Sequence, residues 1–186
     1  MTRPELIEAL SGRFRANFAD ALADRVAAAG AFGLLYAVAT APPATLPKAL
    51  RHKVAFRGAY VLERLYFASP TYLEPYVDRF CRLDFPACSD PSARRHFGKI
   101  MAHLLRHHAP DADALGRIAE TAGAWAVDPA SKVAVRIGAV EVLRGCCEQV
   151  PWVIETWDNL MAMLARDATP GIACRLRRSW GAAVRK

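Results

Sequence analysis

Apolar residues recur at every third or fourth position along nearly the whole chain, and no stretch alternates steadily between apolar and polar residues. This spacing is typical of α-helices that bury one face. Proline, glycine and serine interrupt the pattern at intervals, which indicates boundaries between helices. The interruptions lie at Gly30, Pro42–Pro43, Ser69–Pro70, Phe85–Asp90, Ala109–Pro110, Asp128–Pro129, Val150–Pro151 and Thr169–Pro170. We therefore predict an all-helical protein.

Several of these boundaries carry residues that favour the start of a helix. In Asp90–Pro91 and Asp128–Pro129 the carboxylate is suited to accept hydrogen bonds from free backbone N–H groups, and proline fits the first helical turn. Before Pro170 the expected cap is Thr169. Because such starts return at a regular interval, they indicate a repeat architecture.

The repeat is visible in four short segments. Lys53–Arg57 (KVAFR) and Lys132–Arg136 (KVAVR) match closely at an offset of 79 residues. Arg94–Phe97 (RRHF) begins 38 residues before Lys132, and Gly171–Arg175 (GIACR) begins 39 residues after it. These offsets fit units of about 39 residues, each long enough for a helix, a tight turn and a second helix.

A helix pair with an Asp/Pro turn and an arginine near the start of its second helix resembles the HEAT-like, armadillo-type repeat family. The resemblance implies a right-handed α-α superhelix of about four pairs. The first unit departs from the pattern, since Pro42–Pro43 stands where an aspartate-led turn is expected. One domain spans residues 1–186, and its expected parts are an N-terminal helical cap over 1–30 and repeats over 31–68, 70–108, 110–147 and 151–186.

Composition fits a single folded domain. The chain has 186 residues, of which 53% are hydrophobic and 23% charged. No apolar run reaches the roughly 18 residues of a membrane helix, and the N-terminus does not resemble a secretion signal. The five cysteines contain no Cys-x-x-Cys spacing, which argues against a disulfide framework or a zinc site. We expect a cytoplasmic protein with reduced thiols and no membrane contact.

Positive charge is unevenly distributed. The formal net charge is +7, and thirteen of the 25 basic residues fall in the stretches 48–57, 91–110 and 168–186, which contain no Asp or Glu. The remainder of the chain is net negative, with 12 basic and 18 acidic residues. In the predicted units these three stretches contribute to the second helices. In HEAT-like proteins the second helices line the concave surface, so the resemblance implies a basic inner face.

This face defines the candidate binding residues, which are Lys53, Arg57, Arg64, Arg95, Lys99, Arg106, Arg175, Arg177 and Arg178. An alternative is structural. In HEAT repeats the arginine of the second helix often bonds the turn aspartate of a neighbouring unit, which would explain Arg57, Arg136 and Arg175. Lys99 and Arg106 do not occupy this repeated arginine position. They therefore distinguish best between a binding face and a structural role of the arginines.

Catalytic and metal-binding patterns are weak. His96, His103 and His107 share one helical stripe, but no glutamate follows His103, and Lys99 and Arg106 would repel a cation. The sequence has no glycine-rich phosphate loop and no nucleophile elbow. We therefore predict no metal and no cofactor, and an enzymatic activity is disfavoured.

The favoured function is a non-enzymatic scaffold that acts as a monomer and binds an acidic protein partner on the basic concave face. The alternative is DNA binding through the same face. The chain is distantly similar in architecture to the HEAT-like DNA-alkylation-repair glycosylases, which imply a basic face with aromatic and acidic residues around an extruded base. The aromatic candidates for this alternative are Trp125, Trp152, Trp157 and Trp180.

Overall fold

The computed structural model describes residues 1–181, and within them it contains helices and turns but no strand. The predicted all-helical class is therefore confirmed. No helix in this range is long and apolar enough to cross a bilayer. The helices are α1 Arg3–Ser11, α2 Phe18–Ala28, α3 Phe32–Thr40, α4 Lys48–Ala68, α5 Val77–Arg79, α6 Ala93–Leu104, α7 Ala112–Val127, α8 Val133–Cys146, α9 Pro151–Arg166 and α10 Pro170–Arg175.

Two of the expected helix starts have side-chain hydrogen bonds to backbone N–H groups, and at one of them the expected residue is itself the N-cap. The Asp90 side chain accepts from the N–H groups of Ser92 and Ala93 at 2.9 Å, but α6 begins at Ala93 with Ser92 as its N-cap, so Pro91 precedes the helix. The Thr169 hydroxyl accepts from the Ile172 N–H at 3.5 Å, at the start of α10. These bonds satisfy backbone donors that the first turn of a helix leaves without partners.

The third expected start is wrong. The Asp128 carboxylate accepts from the Ala130 N–H at 2.9 Å and from the Ser131 hydroxyl at 3.2 Å. These bonds hold a turn that follows the end of α7, and α8 begins only at Val133. Asp-Pro is equally suited to a tight turn, and here the side chain stabilises the turn instead of the next helix.

The long helices pack in an order that follows the chain. Helix α4 packs against α1, α2 and α3 on the N-terminal side and against α6 on the other. Helix α6 packs in turn against α8, and α8 also contacts α7, α9 and α10. Helices α4, α6, α8 and α10 are therefore direct neighbours in that order. Their contacts enclose one continuous core, which includes Leu6, Val26, Leu35, Val54, Val61, Ile100, Met101, Val140 and Ile172.

Small residues let some of these helices approach closely. A Cβ atom added at Gly98 of α6 would lie 3.6 Å from the backbone carbonyl carbon of Gly138 in α8. Between α4 and α3 the fit is tighter, because a Cβ atom at Gly58 would lie 3.0 Å from the Ala39 Cβ. The glycines thus set how near neighbouring helices can come.

The first half of the 70–108 unit is not a regular helix. It consists of 3₁₀ turns over Pro70–Tyr72 and Glu74–Tyr76, then α5, then a π-helical turn over Phe80–Asp84. Pro70 and Pro75 have no N–H to donate, so this stretch cannot sustain α-helical hydrogen bonding. The predicted full-length first helix is therefore absent from this unit.

Side chains fix the irregular segment to the rest of the protein. The Tyr36 hydroxyl donates to the Asp84 carboxylate at 2.6 Å, and Arg79 donates to the same carboxylate oxygen at 3.0 Å. Burial, followed by the bond to Asp84, raises the pKa of Tyr36. Phe80 and Phe85 are fully buried, so the segment contributes to the core despite its irregular backbone.

Candidate functional site

A groove of about 410 Å³ lies between α6 and α8. Five cationic side chains line it: Arg95 and Lys99 from α6, Arg106 from the turn that follows α6, Arg144 from α8 and Arg175 from α10. We call it the basic groove. Four of these five residues belong to the set that the sequence predicted.

Helical spacing explains how α6 brings two cations to the basic groove, since Arg95 and Lys99 are four residues apart and share one face of the helix. Arg106 lies in the turn that directly follows α6. The opposite wall includes the small or apolar residues Ile137 and Gly138 of α8. The groove therefore combines charged side chains with uncharged ones.

Within residues 1–181, Glu141 of α8 is the only carboxylate that lines the basic groove. Its oxygens lie 3.3 Å from a guanidinium nitrogen of Arg175 and 3.7 Å from one of Arg144. The indole N–H of Trp180 also donates to it at 3.0 Å. Glu141 thus partly neutralises one end of the groove and holds the C-terminal turn against α8.

The α6 side of the groove remains positive. Within residues 1–181, no carboxylate lies within 4.0 Å of the guanidinium groups of Arg95 or Arg106, and both residues are exposed. Only Lys99 has an acidic partner, because its ammonium lies 2.7 Å from the Glu63 carboxylate. Two guanidinium groups are therefore available to an anionic ligand.

Behind Lys99 lies a buried polar cluster. Glu63 of α4 and His96 of α6 are 7% and 3% exposed, and the His96 Nδ1 is hydrogen-bonded to the Glu63 carboxylate. The His96 ring stacks on Tyr60, with centroids 4.9 Å apart. Burial favours the neutral form of Glu63, but hydrogen bonds from His96 and Lys99 outweigh it and lower its pKa. The cluster ties α4 to α6 and anchors one edge of the groove.

The α4 end of the groove is aromatic. Phe67 is 47% exposed, and its ring packs edge-on against His103 with centroids 5.3 Å apart. The His103 Nδ1 lies 2.8 Å from the Tyr66 hydroxyl. Burial, followed by His107 and Arg106, lowers the pKa of His103, so its ring is neutral at pH 7. No cluster of His, Cys, Asp or Glu in the described part of the chain could hold a metal ion.

Two of the predicted residues are turned away from the basic groove. The Lys53 ammonium donates to the Ser11 carbonyl at 2.5 Å. The Arg57 guanidinium is buried and donates to the carbonyls of Leu10 at 2.8 Å and Gly12 at 2.7 Å. Both side chains satisfy carbonyl groups at the end of α1, so their role is to attach the N-terminal helix.

The remaining predicted residues also lie outside this groove. Arg64 is exposed on α4, and its guanidinium lies 3.3 Å from the Asp20 carboxylate of α2. Arg177 and Arg178 are exposed on the π-helical turn that follows α10. The basic groove therefore contains four of the nine predicted residues, which are Arg95, Lys99, Arg106 and Arg175.

The structural alternative is wrong about the partners of its three arginines. The partners of Arg57 are α1 carbonyls, and Arg136 donates to the Ala126 carbonyl at 3.1 Å. Arg175 contacts Glu141 of α8. None of the three bonds a turn aspartate, although Arg57 and Arg136 do hold neighbouring helices together.

Two residues of the groove, Phe67 and Arg144, are not among the residues predicted from the sequence. Arg144 lies outside the three basic stretches that lack Asp and Glu, because Glu141 stands three positions before it. The available signal was the spacing of Ile137, Glu141 and Arg144, which places all three on one helical face.

The groove can bind anions, but it presents no nucleophile with an adjacent base among its lining residues. No protein-family model, curated protein or solved structure matches this chain.

Proposed function

We propose that the protein is a non-enzymatic interaction module that binds an acidic segment of a partner protein in the basic groove. One observation carries the proposal: among residues 1–181, five cationic side chains and one carboxylate line the groove. A carboxylate-rich segment fits this arrangement, because guanidinium groups pair with carboxylates through two parallel hydrogen bonds.

The proposal includes a HEAT-like architecture, in which four helix pairs form a right-handed superhelix and the basic groove lies on its concave side. The order of packing supports it, since α4, α6, α8 and α10 follow one another as neighbours. The N-terminal helices α1 and α2 would serve as the cap. Residues 182–186 of the fourth predicted unit lie outside the described part of the chain. Acting as a monomer, such a module would keep its inner face open to a partner.

Charge distribution within the groove indicates where the partner binds first. Arg95 and Arg106 are exposed and have no ion-pair partner in the described chain, whereas Glu141 already engages Arg144 and Arg175. An acidic segment would therefore contact the α6 side directly and would compete with Glu141 at the other end. Exposed charges of this kind mainly raise the association rate and the sensitivity to salt.

A second candidate is single-stranded nucleic acid, and the observation that favours it is Phe67. This ring is 47% exposed at the end of a basic groove, where a base could stack on it while the arginines contact phosphates. Base stacking on an aromatic ring contributes about 1 to 3 kcal/mol per base. This candidate corresponds to the nucleic-acid alternative from the sequence.

The test uses two fluorescent probes, an oligo-glutamate peptide and an oligo-thymidine strand, each about a dozen units long to span several charges. The double variant Arg95→Glu, Arg106→Glu is expected to weaken peptide binding at least about tenfold, because it replaces the two unpaired cations with anions. The matched control is Arg13→Glu, Arg15→Glu, which changes the net charge equally at exposed positions outside the groove. The control should change affinity less than about threefold at physiological salt.

Equal losses in the two double variants would show nonspecific attraction and would overturn the proposal. Phe67→Ala separates the candidates. If the peptide is the better ligand, this variant should leave its affinity nearly unchanged. If the nucleotide strand binds more tightly, and Phe67→Ala weakens it about fivefold or more, the nucleic-acid candidate replaces the first.

A further inference from the structure

A second groove, of about 460 Å³, lies between α7 and α9 and is mainly apolar. Helix α9 makes its principal contacts with α8, α10 and the C-terminal turn, which leaves space on its α7 side. Three large apolar side chains lining this space remain accessible: Val127 is 48% exposed, Trp152 37% and Met163 36%. We call this space the apolar groove.

The apolar groove runs along α9 from Trp152 to Met163. Trp152 covers α7, because a Cβ atom at Gly123 would lie 3.2 Å from its ring. Met163 lines the groove three helical turns further along, about 17 Å away at the rise of an α-helix. Leu160 lies between them, partly buried against the core. The groove thus has the length of a short helix.

The apolar groove is independent of the basic groove and of the function proposed for it. It is lined mainly by α7 and α9, whereas the basic groove is lined mainly by α6 and α8. Exposed apolar residues scattered singly on a surface need no explanation, but a cluster within one concave groove is typical of a protein-binding site.

The groove offers few hydrogen-bond partners to a backbone. The Thr156 hydroxyl already donates to the Trp152 carbonyl at 2.8 Å. This leaves the side chains of Glu120 and Asn159 as the principal polar groups that line it. An extended peptide would bury N–H and C=O groups without partners, at a cost of about 1 to 3 kcal/mol each. A helix satisfies its own backbone, so it is the occupant that this groove accepts.

The charge around the apolar groove indicates which residues should lie on either side of the apolar stripe of that helix. Glu120 lines the groove, and Glu155 is exposed on α9 one position before the groove-lining Thr156. Neither has a cation within 4.0 Å among residues 1–181. We propose that the apolar groove binds an amphipathic helix of a partner protein, with its apolar stripe in the groove and lysine or arginine on its flanks.

The test uses the full chain and two synthetic helices of about 18 residues, long enough to cover the groove. Both carry the same leucine stripe; one has lysine flanks and the other has glutamate flanks. Fluorescence anisotropy is measured on the full chain carrying Arg95→Ala and Arg106→Ala, which keeps the glutamate-flanked helix from binding the basic groove. The lysine-flanked helix should bind at least about fivefold more tightly, because its flanks face unpaired carboxylates. A lysine-flanked peptide of scrambled order, which has no apolar stripe, should bind at least about tenfold more weakly.

The chain provides a matched pair of variants. Met163→Glu places a charge inside the groove and should weaken binding of the lysine-flanked helix at least about tenfold. Ile154→Glu makes a similar change on the same helix, at a residue that is 47% exposed but does not line the groove. It should change affinity less than about twofold, and circular dichroism should show both variants equally helical.

Three results would overturn the proposal. The first is absence of binding by the lysine-flanked helix at concentrations well above the micromolar range. The second is an equal loss of affinity in Met163→Glu and Ile154→Glu. The third is a dimer, detected by light scattering, that Met163→Glu converts to a monomer, because a second copy of the chain would then occupy the groove.

Discussion

At the scale of single residues, burial of the Glu63 carboxylate carries a free-energy cost that neighbouring side chains offset. Its carboxylate is buried, yet hydrogen bonds from His96 and Lys99 keep its pKa below the ordinary value. Removing one partner from such a cluster leaves the others buried without compensation. The cluster therefore makes the stability of the α4–α6 contact sensitive to acid.

We predict that Glu63→Gln lowers the free energy of unfolding by about 2 to 3 kcal/mol at pH 7. Because the pKa of Glu63 is lower in the folded state, its contribution is complete above the unfolded value, near 4.3, and is lost as pH falls through the folded value. The difference between wild type and variant should therefore shrink from about pH 5 to pH 3 in urea titrations. Glu8→Gln, an exposed control on α1, should stay within about 0.5 kcal/mol of wild type throughout. A difference that is constant with pH would contradict the assignment.

At the scale of elements, two helix contacts that each contain a buried glycine differ in how much space they leave for a side chain. Gly58 and Gly98 are both buried, on α4 and α6, and are 40 positions apart. A Cβ at Gly98 meets Gly138 of α8 at 3.6 Å, an ordinary contact distance, whereas one at Gly58 meets Ala39 of α3 at 3.0 Å. Only the second site lacks space for a methyl group.

Alanine at these two positions should therefore have opposite effects. Gly98→Ala should stabilise the protein by up to about 1 kcal/mol, because alanine is the better helix former and its methyl group fits. Gly58→Ala should destabilise it by about 1 to 2 kcal/mol, because α3 and α4 must move apart. Urea denaturation of both variants measures this difference. Effects of the same sign would show that the α3–α4 contact relaxes freely.

The same glycines show how much of the fold the sequence could provide. Gly58, Gly98 and Gly138 stand at intervals of 40 residues, a regular signal that is independent of charge. The helical class and the capping by Thr169 followed from local patterns. For the irregular segment from Pro70 to Asp84, Pro75 is a local signal of a broken helix, but the bond from the distant Tyr36 to Asp84 depends on tertiary packing.

At the scale of the whole molecule, the basic groove was predictable only in part. Arg95, Lys99 and Arg106 could be identified from charge along the chain, because they lie close together in sequence on α6 and the turn that follows it. The same counting grouped Lys53 and Arg57 with them, although these side chains bond the end of α1. Which helix a basic residue faces depends on tertiary packing, and a charge count along the sequence does not contain that information.

The attachment of α1 to the rest of the molecule depends strongly on Arg57. Its guanidinium donates to the carbonyls of Leu10 and Gly12 and lies 5.3 Å and 5.4 Å from the ring centroids of Phe14 and Phe18. Burial lowers the pKa of Arg57. Hydrogen bonds from a charged group contribute about 1.5 to 3 kcal/mol, more than an exposed ion pair.

We therefore predict that Arg57→Ala lowers the free energy of unfolding by about 2 to 3 kcal/mol and loosens α1 selectively. Hydrogen exchange should accelerate for the amides of Arg3–Ser11 more than for those of α8, which lies beyond α6 in the packing order. Arg64→Ala, on the same helix, removes exposed contacts with Asp20 and Tyr60 and should cost less than about 1 kcal/mol. If exchange in α1 were unchanged in Arg57→Ala, the N-terminal helix would be held without Arg57, by the buried Leu6 and Leu10 and by the bond from Lys53 to Ser11.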